Sequence, residues 1–293
     1  MNSVVIIGAG PAGLSTAIQL KRYNIKPLLF EKNLVGGLLR NANSVENYPG
    51  FSDGISGIDL VEHFLRHLDK TGVKVNYEEV KEVDFDEEKF FVKTNSENIA
   101  CEIVVLATGT KPKEIPGLKI TTEINKLIFY EIYPIIKIRN KDVAIIGAGD
   151  AAFDYALNLA RFNKVTIFNR GKETKCLPLL WERTVKNENI IYLKNTAVKS
   201  IKQDNDGLTL SCCDKKGEHE MTLSFLVVAI GRNPNLDLIS TNLKKNLNRL
   251  QKSKSLFIIG DVRNDMYRQT AIATGDGIKT AMEIYRKLNR ENL

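Results

Sequence analysis

The chain carries one short pattern twice. Residues 4–13 read Val-Val-Ile-Ile-Gly-Ala-Gly-Pro-Ala-Gly, and residues 143–152 read Val-Ala-Ile-Ile-Gly-Ala-Gly-Asp-Ala-Ala. Few patterns constrain a fold as tightly. Each apolar run suits a strand buried on both faces. The first glycine (Gly8, Gly147) makes a tight bend. The second (Gly10, Gly149) lets a pyrophosphate approach the backbone. The third small residue (Gly13, Ala152) lets the following helix pack against the strand. Between them, Pro11 and Ala12 in the first copy, and Ala148, Asp150 and Ala151 in the second, complete a turn that leads into a helix. The positive N-terminus of that helix favours an anion.

A second strand follows each copy, over residues 27–31 and 164–170. Overlaid without a gap, Glu31 and Arg170 fall at the same place. A carboxylate there accepts hydrogen bonds from a ribose 2′-OH and repels a 2′-phosphate. A guanidinium does the reverse. Lys172 and Lys175 add positive charge beside Arg170, whose alternative reading is a solvated strand-end arginine. Two such sites with opposite ends imply two different dinucleotides on one chain, and hence electron transfer between them.

The rest of the sequence bounds this reading. At 293 residues with 43% apolar content, the chain has room for two ordinary domains. No apolar run approaches the ~20 residues of a membrane helix. The N-terminus enters its first strand at once, so no secretory signal is expected. Cys101, Cys176, Cys212 and Cys213 include no C-x-x-C, and the three histidines show no metal spacing, so no metal is expected. Cys212 and Cys213 are expected on opposite faces of a strand. This profile suits a reducing cytoplasm. The net charge of +7 comes without a nucleic-acid module. Residues 242–255 hold Lys244, Lys245, Arg249, Lys252 and Lys254 with no acid. They read first as a solvated turn and second as a docking surface for an acidic protein.

The expected architecture is α/β, with two Rossmann-like three-layer domains, the second inserted into the first. Residues 1–113 and 234–293 form the outer domain and 117–231 the inserted one. Prolines and glycines mark linkers near 111–117 and 231–236. Helices are expected near 57–71 and 267–288. Strands are expected within 73–94 and at 103–109, 225–231 and 256–261.

These motifs resemble the low-molecular-weight thioredoxin reductase family of two-dinucleotide flavoproteins. The likeness runs over nearly the whole chain: the first glycine motif, Gly36-Gly37, residues 46–51 (Glu-Asn-Tyr-Pro-Gly-Phe), Ala107-Thr108-Gly109, the second glycine motif, Ala229-Ile230-Gly231, and Gly260-Asp261-Val262 leading to Tyr267-Arg268-Gln269. The resemblance implies FAD on the outer domain, held by Gly8, Gly10, Pro11, Ala12, Gly13, Glu31, Lys32, Gly36, Gly37, Leu38, Leu39, Asn47, Thr108, Gly109, Gly260, Asp261, Arg268, Gln269 and Thr270. It implies NADPH, with NADH also open, on the inserted domain. There the implied residues are Gly147, Ala148, Gly149, Asp150, Ala151, Ala152, Asn169, Arg170, Lys175, Gly231 and Arg232. It also implies a homodimer.

One departure bears on function. Aligned on Gly147, the two redox cysteines of that family fall at Tyr130 and Tyr133, in Tyr130-Glu131-Ile132-Tyr133. Related disulfide reductases keep their cysteines just after Gly36-Gly37, where Leu38 to Asn43 hold no sulfur. Thiol–disulfide exchange needs an attacking thiolate and a resolving partner. Tyr130 and Tyr133 read either as packing residues or as groups that stack on the flavin or limit its access to oxygen. Three functions follow. The first is an NAD(P)H oxidoreductase passing electrons through FAD to a separate acceptor, as in a cysteine-less branch resembling ferredoxin/flavodoxin–NADP reductases. That branch usually has a C-terminal extension that the sequence does not show. The second is a disulfide reductase using Cys176 or Cys212/Cys213. The third is a non-enzymatic redox sensor.

Overall fold

A computed structural model describes residues 2–86, 88–118, 120–204 and 207–290; Met1 and 291–293, the outer ends of the expected first domain, lie outside them. The chain divides into two compact units. One comprises Met1–Arg40, Val45–Lys111 and Asn233–Leu293, the other Asn41–Ser44 and Pro112–Arg232.

In the first unit, Val4 and Ile6 enter one core while Val5 and Ile7 enter another. The strand Asn2–Ile7 is therefore covered on both faces, as its unbroken apolar run requires. It lies in a parallel sheet in the order Val75–Asn76, Leu28–Phe30, Asn2–Ile7, Asn98–Leu106, Leu256–Ile258. The long strand Asn98–Leu106 also pairs, through its first half, antiparallel with Lys89–Lys93, which pairs with Glu82–Asp86. Helices Pro11–Arg22, Gly57–Thr71 and Thr270–Arg290 contribute to the first core, and Thr241–Lys252 to the second.

That last helix corrects the reading of residues 242–255 as a solvated turn. Leu243 and Leu250 are buried in the core and Leu247 packs against it, at the spacing of one helical face. The Ser240 hydroxyl accepts the Leu243 N–H and caps the first turn. The basic residues occupy the remaining faces. Arg249 lies 5.4 Å from the Phe85 ring, and Lys254 pairs with Glu283 at 3.6 Å.

The second unit repeats the plan. Its parallel sheet runs Ile190–Lys194, Lys164–Asn169, Asp142–Ile146, Phe225–Val228, Ile128–Phe129. Helices Asp150–Leu159 and Pro178–Val185 share one core with the sheet. The antiparallel strands Ala197–Asp204, Gly207–Asp214 and Gly217–Leu223 share the other. Within that meander Cys212 is buried and Cys213 half-buried, as strand alternation demands. The segments expected as linkers contain short strands, Thr110–Pro112 and Arg232–Pro234, paired with each other. Among the described residues no helix is long and apolar enough to cross a membrane, and no His, Cys, Asp and Glu group could hold a metal ion.

The helices Pro11–Arg22 and Thr270–Arg290 cross closely because Gly277 has no side chain. A Cβ there would lie 2.3 Å from the Ala12 carbonyl oxygen. The Thr16 hydroxyl donates to the Ala12 and Gly277 carbonyls at 2.8 and 3.3 Å. Gly275, two residues earlier, meets nothing within 4 Å. Gly277→Ala is therefore expected to cost about 1–3 kcal/mol by overpacking, and Gly275→Ala to gain roughly 0.4–1 kcal/mol by restricting the unfolded chain. Denaturant melts of the two variants check this contrast.

Candidate functional sites

In each unit the chain leaves a central strand toward one side of the sheet and returns on the other. This makes a switch point, where ligands settle outside the carboxyl ends of parallel strands. In the first unit the switch lies between Gly8 and Ala107, in the second between Gly147 and Ala229. The hydrogen bonds around them repeat. Gly8 N–H donates to the Phe30 carbonyl at 2.8 Å and Gly147 N–H to that of Phe168 at 3.1 Å. Ala107 N–H donates to Ile7 at 2.9 Å and Ala229 N–H to Ile146 at 2.8 Å. Gly36 N–H donates to Ala9, and Lys175 N–H to Ala148, each at 2.8 Å. Lys175 thus stands where the first copy has Gly36.

The three small positions have different physical reasons. A Cβ on Gly8 would lie 2.3 Å from the Ala107 oxygen, one on Gly147 2.4 Å from the Ala229 oxygen, and one on Gly13 1.9 Å from the Gly8 oxygen. Gly8 and Gly147 also have positive φ, 102° and 153°. Chain packing accounts for these. Gly10 and Gly149 are different. A Cβ on either meets nothing within 4 Å, and φ is an ordinary −74° and −100°. Nothing in the protein requires glycine there, so the bare backbone suits a group from outside.

The helix ends agree. Helices Gly57–Thr71, Thr122–Asn125 and Thr241–Lys252 begin on Ser56, Thr121 and Ser240, whose hydroxyls accept a first-turn N–H. The helices after Gly10 and Gly149 have no side-chain cap. Their first-turn N–H groups are the orphan donors of an uncapped helix, and a phosphate satisfies such donors.

Around the first turn, Glu31 Oε2 accepts the Ala9 N–H at 2.8 Å and Oε1 the Asn33 N–H at 2.9 Å. The carboxylate therefore stands against the glycine loop, and Lys32 beside it is exposed. Gly37 and Leu38 are in a 3-10 turn, Gly37–Asn41, with Leu39 buried. A Cβ on Gly36 would strike Val61 at 2.4 Å. Asn47 Nδ2 donates to Gln269 Oε1 at 2.9 Å, which joins two residues far apart in sequence. Arg268 and Gln269 precede Thr270, the first residue of the last helix. The Thr108 hydroxyl donates to the Asn235 carbonyl at 2.6 Å, so it braces the turn around Gly109. Sequence reading missed Asp276. Its Oδ2 accepts the Gly260 N–H at 3.1 Å and Asn264 Nδ2 at 2.6 Å, fixing the turn that presents Asp261. A lone helical aspartate gives no sequence signal for this.

Around the second turn, Arg170 and Lys175 are exposed, and Asp150 Oδ1 accepts the Leu177 N–H at 2.8 Å. Asn169 directly follows Phe168, whose carbonyl takes the Gly147 N–H, as Glu31 follows Phe30 in the first copy. It is 6% exposed. Its Nδ2 donates to the Glu173 carbonyl and the Tyr192 hydroxyl, and its Oδ1 accepts the Gly171 N–H. The amide shapes the turn that carries Arg170. Gly231, with φ 110°, leads to Arg232, whose guanidinium pairs with Glu131 at 3.2 Å. Tyr130 packs against one core, and burial followed by Glu114 raises its hydroxyl pKa. Tyr133 starts a 3-10 turn and is half-buried.

All four cysteines are free. Burial pushes the Cys101 thiol up to about 12 and the Cys212 thiol to about 11. It raises that of Cys176 as well. Reactive cysteines have the opposite shift.

The chain matches the pyridine nucleotide-disulphide oxidoreductase family model over residues 2–277. It is 31% identical to a thioredoxin reductase of Bacillus subtilis, over 96% of this chain and 93% of the relative. It is 30% identical to thioredoxin reductase 1 of Saccharomyces cerevisiae, over 98% of each. Among solved structures, a Lactococcus lactis thioredoxin reductase aligns over 99% of this chain and 100% of the other, at 26% identity and a TM-score of 0.84. FAD and NADPH are the cofactors of thioredoxin reductases, and the open cradles at Gly10 and Gly149 fit two dinucleotides. Gly10→Ala is expected to leave the melting temperature of the apoprotein unchanged and to weaken FAD retention. Gly149→Ala is expected to leave it unchanged and to weaken NADP⁺ binding. Calorimetric titration beside thermal melts reads both, and loss of folding in either variant contradicts the open-cradle reading.

Proposed function

From its membership of the pyridine nucleotide-disulphide oxidoreductase family, which the match over residues 2–277 shows, we propose that this chain is an FAD-dependent NAD(P)H oxidoreductase that works without a redox dithiol. It passes electrons between NADPH and a separate acceptor such as ferredoxin or flavodoxin, in either direction. The observation that carries this is that Cys101, Cys176, Cys212 and Cys213 form no C-x-x-C; by the resemblance, Tyr130 and Tyr133 stand at the positions of the missing cysteines. The raised thiol pKa values of Cys101, Cys176 and Cys212 support it.

FAD, when bound, supplies hydride acceptance from the nicotinamide and release of electrons singly. The chain's own residues bind and orient. In the outer domain, residues 1–113 and 234–293, the turn at Gly8–Gly13 and the helix end after it would hold the FAD pyrophosphate, and Glu31 the ribose. Asn47 with Gln269, and the Gly260-Asp261 turn braced by Asp276, would line the rest of the site. In the inserted domain, residues 117–231, Gly147–Ala152 would hold the NADPH pyrophosphate, and Arg170 with Lys175 its 2′-phosphate.

The second reading, a disulfide reductase with unusual cysteines, is favoured by relatives that are named thioredoxin reductases. Under the first reading, anaerobic NADPH bleaches the flavin absorbance of the purified protein. Ferredoxin or flavodoxin restores it, more slowly as salt rises, and the triple variant Cys176→Ser/Cys212→Ser/Cys213→Ser turns over unchanged. Failure of every ferredoxin and flavodoxin tried removes that acceptor. Loss of thioredoxin reduction in the triple variant establishes the second reading instead.

A homodimer accompanies the proposal. The last helix leaves Ile278, Met282 and Tyr285 exposed at the spacing of one face, an apolar strip of the kind that marks protein contacts. Sedimentation velocity is expected to give twice the chain mass and to fall to the single mass for Met282→Lys; a wild-type monomer removes this part.

A further inference from the structure

The segment that carries tyrosines in place of the dithiol has a partner within its own unit. Ile128–Phe129 is the edge strand beside Phe225–Val228, and the two run parallel. Both strands therefore deliver the chain to one carboxyl edge. Tyr130 and Glu131 leave the first strand there, and Gly231 and Arg232 follow the second. At that edge Glu131 Oε1 lies 3.2 Å from Arg232 Nη2, with the two side chains 41% and 18% exposed. Ile132, fully buried in the core with Phe153 and Val227, anchors the backbone beside Glu131. Tyr155, on the helix that follows Gly149, is 8% exposed. Burial raises its hydroxyl pKa first, Arg232 opposes that, and Glu131 and Asp154 add to it.

The same edge holds the switch point. A Cβ on Gly147 would lie 2.4 Å from the Ala229 oxygen, three residues before Arg232. A cation here is placed where a dinucleotide's phosphates approach an open sheet. We infer that Glu131 is a positioning residue for Arg232, holding the guanidinium ready at the nucleotide cradle so that the segment without a dithiol serves nucleotide binding instead. This rests on reading the second unit as the nicotinamide-nucleotide domain.

The sign follows from two opposing effects. Glu131 adds a negative charge near the phosphates, but the pair is partly exposed and solvent screens it. Against this, a free arginine loses much rotamer freedom when it binds, and the ion pair removes that loss before the nucleotide arrives. A guanidinium has five N–H donors in a planar fork, so one carboxylate contact does not use up its capacity. Positioning outweighs repulsion.

The FAD-loaded protein is titrated calorimetrically with NADP⁺, which binds without transferring a hydride. Glu131→Ala is expected to raise Kd about tenfold, a change of about one decade in affinity. Glu131→Gln, which keeps an oxygen for Arg232, is expected to raise it less than about threefold on the same scale. Arg232→Ala is expected to match or exceed Glu131→Ala, and the double variant Glu131→Ala/Arg232→Ala to be no worse than Arg232→Ala, as for residues acting as a unit. FAD content and melting temperature stay at wild-type values. Unchanged or tighter binding by Glu131→Ala, or additive losses in the double variant, overturns the inference. The wild-type protein separates this from the broader proposal: if NADPH binds but never bleaches the flavin, the oxidoreductase reading fails while the positioning result stands.

Discussion

Everything in this protein that concerns a ligand depends on one close approach, made twice. A strand ends in glycine because the turn after the next parallel strand lies against it: Gly8 under the Ala107 carbonyl and Gly147 under that of Ala229. Any side chain there would strike backbone, which cannot move aside as a flexible side chain can. The approach joins the two turns at the sheet's switch point and leaves the following helix aimed at the gap. The small third position, Gly13 or Ala152, then lets that helix sit against the strand end. These are packing demands, and they would hold with no nucleotide.

The second glycine is where packing stops explaining the sequence. Gly10 and Gly149 have ordinary backbone angles and open space where a Cβ would be, at the start of helices without side-chain caps. Serine or aspartate is the usual solution at such a position. Glycine instead leaves N–H groups available and the approach unobstructed. The contrast between glycines required by the chain and glycines left open to solvent separates fold from function more finely than the motif, in which all three look alike.

The fold was legible because its strongest signals are local. Apolar runs and glycine turns stand in the chain as printed, and they gave the α/β class and the two units built on parallel strands. The misreadings have physical causes. In residues 242–255 the basic residues hid the spacing of Leu243, Leu247 and Leu250, since charge on one helical face says nothing about the other. The gapless overlay set Glu31 against Arg170, but the Gly8 and Gly147 N–H groups reach the carbonyls of Phe30 and Phe168, which puts Asn169 at the place of Glu31 and Arg170 one residue beyond it. Asp276 and Glu131 were invisible because their partners, Gly260, Asn264 and Arg232, come from other elements and no spacing rule encodes such meetings.

The segment Tyr130-Glu131-Ile132-Tyr133 is held by the sheet and the cores beside it. Its place at the carboxyl edge of a parallel sheet is set by the strand Ile128–Phe129 and by the burial of Ile132. Neither depends on sulfur. Two of its four positions are fixed by the fold or packed against it: Ile132 in one core and Tyr130 against the other. Glu131 is the position that reaches a charged partner, and Tyr133 opens the next turn. A dithiol needs two sulfurs at a fixed separation, and residues 130–133 hold none. What the edge still presents is a guanidinium held by a carboxylate beside a glycine turn, and that arrangement suits an anionic ligand.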